Sequence, residues 1–137
     1  MREKYINELR QFCPVHFFMP CTFQTLFFSD EGFVARCSSC GHFHVAFMSF
    51  MFIMPETAFS ELHRETMFRV KEGDFAFSEN SKSVMIPTHT KSAFIMLTRN
   101  ELLLFSRMME EADNEYRALS MIRLFNNSAE YDGDGLQ

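Results

Sequence analysis

Residues 42–56, His42-Phe43-His44-Val45-Ala46-Phe47-Met48-Ser49-Phe50-Met51-Phe52-Ile53-Met54-Pro55-Glu56, decide how this chain folds. Phe43, Val45 and Phe47 alternate with His42, His44 and Ala46, the period of a strand with one apolar face and both histidines on the other. After Met48-Ser49 the apolar positions become Phe50, Phe52 and Met54. Because the strand period is two, that change of phase requires a tight turn or bulge, so two adjacent strands are expected. Pro55 and Glu56 then open a helix whose apolar members include Phe59, Leu62, Met67 and Val70, with Glu61, Arg64 and Glu65 outward and an end near Gly73.

Upstream, the β-prone run from Thr22 to Phe28, the turn signal Asp30-Glu31-Gly32 and Phe33-Val34-Ala35-Arg36 predict a hairpin. Residues 1–12, with Tyr5, Ile6, Leu9 and Phe12 at helical spacing, predict a short amphipathic lead-in. Downstream, Phe75-Ala76-Phe77 and Val84-Met85-Ile86 flank the polar run Ser78–Ser83 and are expected to pair, with Ser92–Leu97 as a further strand. Thr98-Arg99-Asn100-Glu101 has the form of a capping box, Thr98 accepting from the Glu101 amide while the Glu101 carboxylate reaches back. Leu102, Phe105, Met109, Ala112, Tyr116 and Leu119 continue as a helical stripe toward Leu124. The fold class is α+β, a single domain over residues 1–125 built as two ββα-like units, with a flexible acidic tail over 126–137.

Composition limits the function. The chain has 137 residues and a net charge of -5, with thirteen Lys and Arg scattered singly, so no basic stripe serves nucleic acid. The apolar stretch Phe43–Met54 is too short to span a bilayer and no secretory h-region is present, which predicts a cytoplasmic protein with no membrane partner. Eighteen Phe and eleven Met without any Trp make the apolar content aromatic and soft, suited to cores and to adhesive surfaces.

The chemistry-bearing residues are the cysteines. Cys13-Pro14-Val15-His16 and Cys37-Ser38-Ser39-Cys40-Gly41 are pairs with two intervening residues, and in a reducing compartment they point to metal before disulfides. Cys13, His16, Cys37 and Cys40 together supply the tetrahedral donor set of a structural zinc site, with residues 13–41 forming a zinc-ribbon-like part. A closed set leaves no coordination position for substrate, so the expectation is a non-enzymatic module with a protein partner or a homo-oligomeric role. His16 is the weakest ligand, with Cys21 as its stand-in and His42 and His44 as further alternatives. Against zinc stand a redox dithiol, which needs a helix start after the pair, and plain structural cysteines. His63 reads as packed or surface-lying, and Glu110, Glu111 and Asp113 as a solvated acidic patch. No nucleophile elbow, phosphate loop or metalloprotease histidine pair occurs. A second reading is a small-molecule binder or enzyme with a pocket between sheet and helices, using His42, His44 or His89.

From Gly32-Phe33-Val34-Ala35-Arg36-Cys37-Ser38-Ser39-Cys40 to Leu124-Phe125 the chain resembles a family of small Bacteroidetes proteins of unknown function. The shared outline is a Gly-x-Val-x-x-Cys-x-x-Cys start, an apolar strand pair, a helix with a Phe-x-x-Leu core, Ile86-Pro87-Thr88, a strand and a Thr-x-x-Glu-Leu helix. The resemblance implies a bacterial intracellular setting and brings no activity with it.

Overall fold

The structure, a computed structural model, describes Lys4, residues 22–73 and residues 80–133, with 129–133 as backbone. The lead-in expected over residues 1–12, the expected ligands Cys13 and His16, the alternative Cys21 and the run Phe75-Ala76-Phe77 lie outside the described residues.

Strands β1 (Phe23–Phe28), β2 (Gly32–Cys37), β3 (Phe43–Phe47) and β4 (Phe50–Met54) form an antiparallel sheet in sequence order. The phase switch at Met48-Ser49 is a two-residue turn. Phe47 pairs with Phe50, Val45 with Phe52 and Phe43 with Met54, so both apolar sets face one side. The turn holds Met48 at φ 53°, in the left-handed region that side chains other than glycine occupy at a cost. The β1–β2 ladder contains a bulge between Thr25 and Phe27, which lets Leu26 be buried. Gly32 has a different reason to be glycine. A Cβ there would lie 2.2 Å from the Ala46 carbonyl oxygen, so the β2–β3 backbones could not approach as they do.

Helix α1 (Glu56–Glu72) follows β4 directly, with Pro55 as its N-cap and Gly73 at its end. The next two strands, β5 (Val84–Pro87) and β6 (Phe94–Leu97), pair with each other as a separate two-stranded sheet. Among the described residues Val84–Pro87 pairs with β6, across a loop in which the Thr88 hydroxyl donates to the Ala93 carbonyl at 2.7 Å, while the expected partner Phe75–Phe77 lies outside the described residues. Helix α2 (Arg99–Gly133) follows β6. Half of the expected capping box forms: the Glu101 amide donates to Thr98 Oγ1 at 3.1 Å, while the Glu101 carboxylate takes Lys82 Nζ at 2.5 Å. The helix runs past Phe125 through the first residues of the expected tail.

The chain is thus α+β, with a hairpin placed directly before each helix. Both helices cover the same face of the four-stranded sheet. Phe43 stacks on Phe59 with centroids 4.3 Å apart, and Phe47 meets Phe105 at 5.1 Å. Ile86, Ile95 and Leu97 of the small sheet join the same core. A rim of this core holds a cation: the Arg36 guanidinium lies 5.3 Å from the Tyr116 ring centroid and 5.9 Å from that of Phe43.

Candidate metal centre

Cys37 ends β2 and Cys40 lies in the turn between β2 and β3. The turn is built by its backbone. The Gly41 amide donates to the Cys37 carbonyl at 2.8 Å, and Gly41 takes φ 78°, a conformation glycine adopts without strain. The Cys37 amide in turn donates to the His42 carbonyl at 2.9 Å, which closes the base of the loop. The result aims N–H groups at sulfur: the Ser39 and Cys40 amides donate to Cys37, and the His42 amide donates to Cys40.

The two residues carry thiols and not a disulfide. Burial pushes the Cys37 thiol up, but donation from Cys40 and Ser39 outweighs it and leaves Cys37 below the ordinary range. Burial also raises Cys40, and its interaction with the Cys37 side chain raises it further. Two sulfurs on one amide-lined turn are two of the four donors that a tetrahedral thiolate site requires. Among the described residues no three His, Cys, Asp or Glu side chains converge as a metal-holding group. The other half of the expected set, Cys13 and His16, lies outside the described residues.

The turn is anchored to the start of β1. Ser38 donates to the Thr22 carbonyl twice, from its amide at 2.8 Å and from its hydroxyl at 2.9 Å. Phe23 packs against Cys37 and Cys40, and its ring meets that of His44 edge-on at 4.9 Å. This is the sheet face turned away from the helices. The alternation correctly put His44 there, but not in solvent: His44 is fully buried, as are Ala35 and Cys37 beside it. Neither ring nitrogen of His44 has a hydrogen-bond partner among the described residues, and burial, followed by the charge of His42, pushes its pKa down to about 4.

The remaining polar residues do not converge with these. His89 is exposed and meets Phe52 at 6.1 Å, away from His42 and His44. His63 Nε2 and Glu110 Oε2 are hydrogen-bonded at 2.7 Å, and His63 Nδ1 lies 4.0 Å from Asp113 Oδ2. Asp113 is itself buried and paired with Arg117 at 2.9 Å, so it belongs to the α1–α2 contact and not to a solvated patch. An open cleft of about 510 Å³ adjoins this group, walled by Arg64, Met67, Phe68 and Lys71. No helix among the described residues is long and apolar enough to cross a membrane.

No curated protein and no solved structure matches the chain. A family model does, over residues 19–128, and the chain belongs to that family of unknown function, DUF6686.

Proposed function

We propose that this chain is a non-enzymatic zinc-binding module that presents apolar surface to a protein partner or to a second copy of itself. The carrying observation is the Cys37–Cys40 turn, with two thiols, inward amides and the left-handed Gly41. With Cys13 and His16 as the remaining donors, the set is four protein ligands on a tetrahedral ion, a structural staple. Its role is to hold the N-terminal third to the β1–β2 hairpin.

The interaction role is supported by exposed apolar side chains that share faces. Met85 and Pro87 of β5 pair with Met96 and Phe94 of β6, and all four are exposed. On α2, Met121, Ile122, Leu124 and Phe125 are each more than half exposed. Apolar surface concentrated in this way marks interfaces more often than scattered single residues do.

Metal analysis of protein purified without added zinc tests the first half of the reading. About one zinc per chain, lost in Cys37→Ser together with stability, is expected from the coupling of binding to folding. A folded, metal-free wild type overturns it. Light scattering across a concentration series tests the second half, with a strict monomer as the adverse result. The α1–α2 cleft supports a second reading, a small-molecule binder; a thermal-shift screen in which no compound raises the melting point counts against it.

A further inference from the structure

The cleft between α1 and α2 gathers cations that the sequence keeps apart. Arg64, Met67, Phe68 and Lys71 line it from α1, and Asp113 and Arg117 from α2. Its volume of about 510 Å³ falls within the roughly 300–1,000 Å³ of sites that take small molecules. Three cations against one carboxylate make the wall positive, in a chain whose net charge is -5. That carboxylate is already committed: Asp113 is buried and accepts from Arg117 Nε at 2.9 Å, while most of the Arg117 side chain remains in solvent. The pair thereby fixes an arginine at the cleft wall. Arg64 and Lys71 are exposed and have no ion pair among the described residues. They stand two helical turns apart, about 10 Å along the axis, with Met67 and Phe68 between them on the same stripe. Phe68 is half-exposed, so the cleft offers apolar surface beside its uncommitted charges.

We propose that this cleft binds a small organic anion with an apolar body, its carboxylate or phosphate head held by Arg64, Lys71 and Arg117 and its body lying on Met67 and Phe68. The proposal rests on the small-molecule reading of the cleft given above and is independent of the zinc site. The two kinds of wall each exclude a simpler occupant. An inorganic anion leaves the Phe68 ring in water and gains nothing from it. A neutral apolar molecule covers charges without pairing them, which costs desolvation. The guanidinium fork of an arginine matches the paired oxygens of a carboxylate or phosphate, so the head is where the cations converge. Nucleic acid needs cations in a run along its backbone, which three in one cleft of an acidic chain do not supply.

The test titrates the full chain with octanoate and with octyl phosphate, using acetate as a head without a body and octanol as a body without a head, and follows backbone amide shifts. At least one of the two amphiphiles is expected to move amides of α1 around Arg64–Lys71 and of α2 around Asp113–Arg117, and the pair of titrations reports which head the cleft takes. It should bind about tenfold or more tighter than acetate, the worth of burying about two methylenes. Its affinity should fall as salt rises, because exposed charges are screened. Arg64→Glu combined with Lys71→Glu changes only exposed side chains, so the melting temperature should hold while affinity drops by about tenfold or more. Octanol binding as tightly as both anions, shifts confined to other parts of the fold, or full affinity in the charge-reversed variant overturns the proposal. If neutral compounds occupy the cleft and neither anion does, the small-molecule reading stands without it. If no compound of either kind binds there, both fall.

Discussion

Replacing His44 by leucine should remove most of an acid sensitivity that this one side chain imposes on the fold. His44 is fully buried, neither ring nitrogen has a partner among the described residues, and its pKa in the folded protein is about 4. In the unfolded chain the ring titrates near 6.5. A group whose folded pKa is depressed in this direction binds a proton only on unfolding, so between those values unfolding takes up a proton and stability falls with falling pH. Its contribution is complete above about pH 6.5 and is lost progressively as pH drops toward 4. The difference corresponds to about 2 kcal/mol between pH 7.5 and 5, rising to about 3 kcal/mol by pH 4. Leucine carries no proton and leaves no orphaned nitrogen. At pH 7.5 His44→Leu should be neutral to stabilising by about 1 kcal/mol, since each buried unsatisfied group costs about 1–3 kcal/mol and the edge-on contact with Phe23 is lost in exchange. Urea titrations of both proteins at pH 7.5 and 5 measure this directly. Carboxylates and any bound metal contribute their own pH dependence to both chains and cancel in the comparison. Equal losses of stability in the two proteins between these pH values would refute the reasoning, as would a variant much weaker than wild type at pH 7.5.

Three further substitutions probe the frame. Gly32→Ala should cost about 2–3 kcal/mol, because the added carbon meets the Ala46 carbonyl oxygen at 2.2 Å in backbone and not in a yielding side chain; a chemical melt unchanged from wild type would contradict the close strand approach. Met48→Gly should be neutral or stabilising by up to about 1 kcal/mol, since the left-handed residue costs an L side chain about 1–2 kcal/mol and glycine returns part of that as chain entropy. Met48→Val should instead destabilise, so the order of melting points across the pair is the measurement. Phe43→Ala should cost about 3–5 kcal/mol, as it empties a fully buried site touched by Phe59 and Tyr116; a loss under 1 kcal/mol by urea titration would mean the core does not close there.

Local sequence patterns carried the strands, the helices and their order, because each is set by side-chain period and punctuation close in the chain. The change from Phe43, Val45 and Phe47 to Phe50, Phe52 and Met54 located a turn to the residue, since only a short reversal keeps both sets on one face. The β5–β6 pairing was less legible, because the runs at 84–86 and 94–97 are short and local pattern does not say which apolar runs share a ladder. His44 and Asp113 show the same limit in three dimensions. The alternation put His44 on the correct sheet face, but whether that face is covered depends on packing and not on period. Asp113 sits in an acidic run, and only the crossing of α1 over α2 brings His63 to it. In the candidate metal centre, Cys-x-x-Cys-Gly was readable because the turn is local and glycine marks its left-handed residue. The Thr22–Ser38 tie, sixteen residues apart, had no local signature.

The length of α2 has a mechanical consequence. Its 35 residues make a rod roughly 52 Å long at 1.5 Å per residue. The sheet strands it crosses are five or six residues, about 20 Å. The stretch beyond Leu119 therefore works as a lever arm whose fulcrum is the packed segment around Phe105, Met109 and Ala112. A load applied at Leu124 or Phe125 would be felt at the short end, where the Thr98 cap and the Lys82–Glu101 clamp join the rod to the small sheet.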